Sequence, residues 1–314
     1  MADRPGNPFV FVLGCQRSGT TLLRQMLDAH PELVVTSDTE FITRVLPPGA
    51  PADAKLEPEM VERAIGYRTR SGRAGFDHLE LSDETVRRLA ASAETYAQFV
   101  TLLFDEVAAQ HGKALAGDKT PDYSRYIPFL HGLFPRARFV DIVRDGRDVA
   151  LSMLQWAKTG PRGPVRTVVW QEHPVAACAL WWTDMVRSAA RDGARLPAGH
   201  YLRIRYEDLI AEPEAVLERI TDFLGLRFST DMLSYYEGQR QVRRPGETSN
   251  LPPTAGLRNW RQQMESADVD VFEALAGDLL GELGYERAVD TFPTELESKV
   301  AEWRSSWPKK AARL

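Results

Sequence analysis

Apolar positions in this chain fall into blocks of two kinds, and the blocks alternate. Short runs of five or six residues stand at Phe9–Leu13 (FVFVL), Glu32–Thr36 (ELVVT), Phe139–Val143 and Tyr201–Tyr206. Each is too short for a helix and apolar enough for a strand buried on both faces. Longer blocks with helical spacing lie between them. The first carries Leu22, Leu23, Met26 and Leu27 and is shut off by Pro31 after His30. Two or three helices follow from about Glu57 to Gln110, with Ser82-Asp83-Glu84 as a cap and Phe99, Leu102, Leu103 and Val107 as a packing stripe. An aromatic-rich helix carries Tyr123, Tyr126, Phe129, Leu130 and Leu133. The next buries Val149, Met153 and Leu154 behind an Asp145 cap. Pro174 opens a strong helix with Val175, Cys178, Trp182, Met185 and Ala189 inward. Pro213 opens another, which Gly225 ends, and a last core helix runs around Val271–Leu283. Strands separated by helices imply parallel pairing. The fold class is therefore α/β, a three-layer arrangement with a mostly parallel central sheet and helices on both faces.

Residues 45–60, 158–173 and 240–256 are rich in proline or basic residues and read as loops. No repeat and no linker divides the chain, so residues 1–314 are expected to form a single domain. The tail from Asp290 carries a short helix and a basic end.

Composition narrows the class. With 314 residues, 43% hydrophobic and 26% charged, the chain can bury a substantial core. A formal net charge of −5 argues against a general nucleic-acid or anionic-membrane binder. No apolar stretch has the length of a membrane span, and MADRPGNPF lacks a signal-peptide core. The two cysteines, Cys15 and Cys178, do not suggest a disulfide framework, and a reducing, cytoplasmic compartment is the expectation.

The chemistry concentrates where the strands end. Phe9–Leu13 runs into Gly14-Cys15-Gln16-Arg17-Ser18-Gly19-Thr20-Thr21 and then a helix. Strand, glycine loop and helix together form a cradle for an anion, because backbone N–H groups and a helix N-terminus converge on it. The Gly14-x-x-x-x-Gly19 frame is that of a P-loop, but Thr20 and Thr21 stand where a nucleoside-triphosphate loop has its lysine, and Arg17 is the loop's cation. The other strand ends carry Ser37-Asp38-Thr39-Glu40, Arg144-Asp145-Gly146-Arg147-Asp148 and Tyr206-Glu207-Asp208. In an open α/β sheet such ends converge on a ligand.

These segments resemble the sulfotransferase family across almost the whole chain. Gly14 to Arg24, followed by Asp28-Ala29-His30-Pro31, is similar to that family's 5′-phosphosulfate loop. Arg144-Asp145-Gly146-Arg147-Asp148, with Ser152 eight residues after Arg144, resembles its 3′-phosphate segment. Arg205-Tyr206-Glu207-Asp208-Leu209, Phe223-Leu224-Gly225-Leu226, Trp260-Arg261 and Leu283-Gly284-Tyr285 match its later signatures. The loop context is closer to the tyrosylprotein-sulfotransferase-like branch and its bacterial relatives than to the cytosolic phenol enzymes.

The resemblance implies a donor, 3′-phosphoadenosine 5′-phosphosulfate (PAPS, leaving as PAP), no required metal, and transfer to a small-molecule, sugar or peptide hydroxyl. It implies that Gly14, Gln16, Arg17, Ser18, Gly19, Thr20 and Thr21 hold the phosphosulfate. Arg144 and Ser152 would then take the 3′-phosphate, with a contribution from Arg258, and Tyr206 would sit against the adenine. Arg17 and Lys119, in Asp118-Lys119-Thr120-Pro121, would stabilise charge as the sulfuryl group moves. The base of the cytosolic enzymes is a histidine two residues after their lysine, and Pro121 stands there. The tyrosylprotein-like branch has a glutamate twenty-one residues after the loop arginine; that position is Asp38, with Glu40 two further on. Asp38 is the favoured base. On an extended segment both carboxylates would point the same way. His30 is read as ending a helix. The helices inserted at 45–115 and the loop 158–173 would form the acceptor lid, and Trp170, Trp181, Tyr235 and Tyr236 are candidate acceptor-site aromatics. Two other readings stay open on the residues alone. A P-loop small-molecule kinase is disfavoured by the missing lysine. A non-catalytic nucleotide-binding protein has no need of Arg17, Lys119 and a carboxylate together.

Overall fold

The computed structural model describes residues 9–46, 49–68, 76, 79–158, 165, 167–237 and 258–307. Five strands form its sheet: β1 (Val10–Leu13), β2 (Leu33–Ser37), β3 (Leu115–Lys119), β4 (Arg138–Val143) and β5 (Tyr201–Arg205). Their order is β2-β3-β1-β4-β5 and every pairing is parallel. The chain leaves β1 toward one edge for β2 and β3, then crosses back for β4 and β5. The switch point therefore lies at the carboxyl end of β1, which is where such sheets bind ligands.

Helix α1 (Thr20–Asp28) follows β1. Helices α2 (Ile42–Val45), α3 (Pro58–Gly66), α4 (Asp83–Ala90) and α5 (Tyr96–Gln110) are inserted between β2 and β3. A 3₁₀ turn, Pro121–Arg125, and α6 (Ile127–Leu133) precede β4. Helices α7 (Gly146–Ala157), α8 (Val168–Glu172) and α9 (Pro174–Gly193) lead to β5. Then come α10 (Tyr206–Ala211), α11 (Pro213–Leu224), α12 (Trp260–Gln263), α13 (Ser266–Glu282) and α14 (Thr294–Ser306). Among the described residues no helix is long and apolar enough to cross a membrane.

Side-chain alternation along β1 divides the core. Phe11 and Leu13 face α5, α6 and the inserted helices, with Phe11 stacked on Phe139 at 5.4 Å between centroids. Val10 and Val12 face α1 and α11 together with Val140 and Ile142. A third cluster, around Trp182, Phe272 and Met185, joins α7, α9 and α13. The insertion thus shares its core with the sheet.

Several expected boundaries appear as read. Ser82 Oγ accepts from the Thr85 amide, the Asp145 carboxylate from the Arg147 amide, and Gly225 ends α11 at φ 69°. Three expectations are corrected. The chain has a fifth strand, β3, whose LAGDK sequence reads as a turn because Gly117, Asp118 and Lys119 are poor strand formers; all five of its residues are nonetheless buried. Gly117 is needed there, since a Cβ would lie 2.4 Å from Val10 Cγ1 on the neighbouring strand. The aromatic helix is split, because Tyr126 sits between the 3₁₀ turn and α6. Within the expected loop 158–173, residues Val168–Glu172 are helical, and Glu172 accepts from Trp303 Nε1 of α14. The loop segments 159–164 and 240–256 lie outside the described residues.

Candidate active site

The loop after β1 is held by its neighbours. The Gly14 amide donates to Ser124 Oγ at 3.0 Å, and the Ser18 amide to the Cys15 carbonyl at 3.1 Å. Gln16 is clamped at both ends of its amide: Nε2 donates to Asp122 at 2.6 Å and Oε1 accepts from Trp181 Nε1 at 2.8 Å. Its side chain braces the loop, which leaves its backbone for any ligand. Gly14 and Gly19 have φ of 147° and 97°. A Cβ on Gly14 would meet the Ile142 carbonyl at 2.4 Å, and one on Gly19 would meet the Tyr206 ring at 2.4 Å. Only glycine allows both approaches. No side chain caps α1 at Gly19, so the amides of Thr20 and Thr21 begin the helix without a partner inside it. The Ser18 hydroxyl is buried and, among the described residues, has no hydrogen-bond partner. A buried hydroxyl beside an uncapped helix start is the kind of donor set that suits an oxyanion.

Arg17 takes a left-handed conformation, φ 73°, that turns its side chain out of the loop toward α7. There its Nε donates to Ser152 Oγ at 2.9 Å and its guanidinium lies 5.6 Å from the Trp156 ring centre. Arg17 and Ser152, expected at opposite phosphates of one ligand, therefore touch.

A second corner forms where β2 and β3 end side by side, with Ser37 opposite Lys119. Lys119 Nζ, on a side chain 3% exposed, pairs with Asp38 Oδ1 at 2.9 Å; the Asp38 side chain is 44% exposed. β2 stops at Ser37, and both Asp38 and Glu40 have positive φ, 49° and 51°. Each such conformation costs an L-residue about 1–2 kcal/mol. The two carboxylates consequently diverge, which corrects the expectation that they point the same way. Asp38 faces Lys119, whereas Glu40 accepts from Tyr67 Oη at 2.8 Å, on the inserted segment. Burial beside Glu40 drives the Tyr67 phenol well above its usual range, so it is a donor at any ordinary pH.

Behind this corner Asp118 is fully buried and accepts from Thr39 Oγ1 at 2.6 Å, Thr36 Oγ1 at 3.1 Å and Thr120 Oγ1 at 3.2 Å. Burial pushes its pKa up to about 6; the Thr39 hydroxyl opposes this and the nearby Asp38 charge adds to it. A carboxyl whose folded pKa is raised stabilises the fold below the unfolded pKa, and that contribution is lost as pH rises through about 6. A rise of about two pH units corresponds to about 3 kcal/mol. Asp118→Asn is therefore expected to gain stability relative to the wild type between pH 4 and 7, by up to about 3 kcal/mol, in urea titrations of both proteins.

The third corner lies at the start of α7. Arg144 Nη2 pairs with Asp148 at 3.2 Å and its guanidinium stands 4.3 Å from the Tyr206 ring centre. Its Nε is buried and, among the described residues, unpartnered. Asp148 also accepts from the Trp260 amide at 2.9 Å, which brings Arg258, two residues earlier, into this region. Arg147, quoted in the sequence only as part of its motif, proves to be a structural clip. It is 1% exposed, binds Asp145 at 2.7 Å and Glu273 at 2.6 Å, and stacks on Trp260 at 3.7 Å. Glu207 accepts from the Asp145 amide and from Tyr285 Oη, tying the end of β5 to the same turn.

The structure thus gathers the loop, Arg17 with Ser152, and Lys119 with Asp38 at the strand ends, and sets Arg144 and Tyr206 beside the loop's second glycine. Sequence reasoning missed Tyr67 and Thr39, which carry no motif, and gave Asp118 no role. Trp181, Trp182 and Tyr235 are core residues. His30 is buried, its Nε2 on the Arg227 carbonyl and Nδ1 on the Glu32 amide, as befits a helix end. Among the described residues no group of three or more His, Cys, Asp or Glu side chains could hold a metal.

A family model described as the sulfotransferase family matches residues 8–230. The chain belongs to the sulfotransferase family. It is 26% identical to a putative protein-tyrosine sulfotransferase of Caenorhabditis briggsae over 230 residues, covering 73% of this chain and 69% of that protein. It is 27% identical to protein-tyrosine sulfotransferase 2 of Gallus gallus over 244 residues, 77% of this chain and 57% of that one. The nodulation protein NoeE of Sinorhizobium fredii is 26% identical over 299 residues, 89% and 66% of the two chains. The chain spans between about half and two thirds of the length of most of these curated relatives. In structure it is similar to the sulfotransferase domain of the Synechococcus PCC 7002 olefin synthase, with a TM-score of 0.58 at 24% identity over 88% of this chain and 97% of that one. The sulfotransferase domain from the curacin biosynthetic pathway gives 0.56 at 20%, over 96% and 98%. These two likenesses speak for the fold, a sulfotransferase fold with a P-loop-like turn after β1.

Proposed function

We propose that the protein transfers a sulfuryl group from PAPS to a hydroxyl of a small-molecule, sugar or peptide acceptor, with Asp38 as the general base. The observation that carries this reading is the pairing of two features at adjacent strand ends. An uncapped glycine loop, with the buried Ser18 hydroxyl unpartnered among the described residues, adjoins a lysine–carboxylate pair, Lys119 and Asp38.

The donor supplies an activated sulfuryl group on a phosphate leaving group. The loop amides and Ser18 would hold its 5′-phosphosulfate, and the absence of a P-loop lysine fits a donor without a γ-phosphate. Arg144, with a buried Nε that has no partner among the described residues, fits a 3′-phosphate as a charge-assisted donor, and Ser152 and Arg258 belong to the same reading. Tyr206, wedged against Gly19 and faced by Arg144, would wall the adenine side. Lys119 and Arg17 would stabilise charge growing on the leaving and transferring oxygens. Asp38, half exposed and next to Lys119, can take a proton from an entering hydroxyl. Glu40 is engaged by Tyr67 of the inserted segment, which favours Asp38 as base and gives Glu40 and the insertion the acceptor side.

Calorimetry tests the donor assignment. Tight binding of PAP and far weaker binding of ADP is the expected result, and equal affinities would overturn it. Arg144→Gln should lose about 1.5–3 kcal/mol of PAP affinity, about 10- to 150-fold, and leave ADP binding nearly unchanged, because ADP has no 3′-phosphate.

A further inference from the structure

Asp118 takes no part in the chemistry proposed above, yet it is placed directly behind it. It is fully buried in β3, and among the described residues no cation lies within ion-pair distance of it. Lys119, the next residue, points to the other side of the strand and serves Asp38. A buried carboxylate without a cation is an unfavourable thing to keep in a core, and an apolar residue would pack there at less cost. What the carboxylate does instead is hold hydroxyls. The shortest of its bonds, 2.6 Å, comes from Thr39.

Thr39 is the residue between Asp38 and Glu40, both of which sit in the left-handed region that L-residues avoid. Its side chain is buried, and its hydroxyl also lies 3.5 Å from Tyr123 Oη. On the main chain the same turn is anchored by the Asp38 amide, which donates to the Lys119 carbonyl at 2.7 Å. A backbone held out of its preferred conformation needs a fixed point within the turn, and the Thr39–Asp118 bond supplies one. Thr36 Oγ1 is 3.1 Å from both Asp118 Oδ1 and the Gly117 carbonyl, so its one proton is shared and it grips less firmly. Thr120, on the far side of Lys119, completes the set.

We propose that Asp118 is a positioning residue: through Thr39 it pegs the strained turn that holds Asp38 against Lys119. The proposal rests on the sulfotransferase reading, since it gives the peg its purpose, but it concerns a residue that touches neither donor nor acceptor. It predicts that loss of the peg leaves donor binding alone and impairs turnover, because a base displaced by about 1 Å can lose about 10²-fold in rate.

The test uses the full chain as wild type, Asp118→Leu, which removes the acceptor while keeping the volume, Thr39→Val and Thr39→Ser. PAP affinity is read by calorimetry, and turnover by transfer of radiolabelled sulfur from PAPS to the best acceptor in a panel of phenols, sugars and hydroxylated peptides. Amide hydrogen exchange is followed on the peptide covering residues 33–46. The expected result is PAP affinity within about threefold of wild type in all variants. Turnover falls by about 10²-fold in Asp118→Leu and Thr39→Val, with acceptor KM little changed, and Thr39→Ser recovers most of it. Exchange across residues 36–41 should quicken in the two damaged variants and stay as in the wild type in Thr39→Ser, with the loop at 14–21 unaffected. Thr39→Val turning over like wild type, or exchange unchanged in both damaged variants, would overturn the peg while leaving the sulfotransferase reading intact. A wild type that binds no PAP and transfers no sulfur would overturn that reading, and the peg's catalytic purpose with it. Thr39→Val keeps the test decisive if Asp118→Leu does not fold.

Discussion

Asp38→Ala is expected to abolish turnover while PAP still binds, with a rate loss on the order of 10²–10⁴, the range for removing a positioned general base. The geometry explains why this effect should exceed that of Glu40. Asp38 lies at the end of β2 with its carboxylate 2.9 Å from Lys119 Nζ and half exposed, so a hydroxyl can reach it. Glu40 is turned away by its own positive φ and receives the Tyr67 phenol. Glu40→Gln should therefore lose less than about tenfold and show the loss in acceptor KM, since Tyr67 can still donate to an amide oxygen. Steady-state transfer assays on both variants, with calorimetry for PAP, separate the two roles. A fully active Asp38→Ala beside a dead Glu40→Gln would move the base to Glu40. Asp38→Ala also strips the buried ammonium of Lys119 of its partner, so a stability loss of about 1–3 kcal/mol should accompany it in urea titrations.

Lys119→Met should cost about 10²–10³ in rate, the effect of removing one preorganised donor from a developing charge. It differs from Asp38→Ala in stability. Methionine fills the buried stem of Lys119, and the carboxylate left behind is 44% exposed and stays hydrated. The expected pattern is a severe loss of kcat with urea midpoints close to wild type. If Lys119→Met unfolded the protein as badly as a core truncation, Lys119 would be a structural residue and its catalytic role would fall. The asymmetry follows from burial, because only the 3% exposed member of the pair depends on the other for solvation.

Much of this site is legible in the amino-acid sequence alone. The glycine loop after β1 can be read because its requirements are local. Two glycines are forced by close approaches to Ile142 and Tyr206, and an apolar run precedes and a helix follows them in the sequence. The Arg144-Asp145 turn can be read for the same reason, since the Asp145 cap lies within two residues of the amide it serves. Strand β3 could not be read. Its Gly117, Asp118 and Lys119 are strand-poor residues that belong there only because β1 approaches on one side and β2 on the other. The direction of Glu40 was equally hidden, because a two-residue period holds only while the chain stays extended, and β2 ends one residue before Asp38. Nor could the contact of Arg17 with Ser152 be seen, 135 positions apart and joined only by α7 passing the loop.

The sequence by itself determined the α/β class, the glycine loop between β1 and α1 and the set of chemical groups brought to the strand ends, because periodicity, glycine and capping act over a few residues. Tertiary structure alone decided which of those groups meet. Strand order placed Lys119 beside Asp38, and the packing of α7 took Arg17 to Ser152. A buried carboxylate with three threonines around it set the turn from which Asp38 and Glu40 diverge. Those outcomes depend on contacts between distant segments, and a residue's own neighbours in the chain carry no record of them.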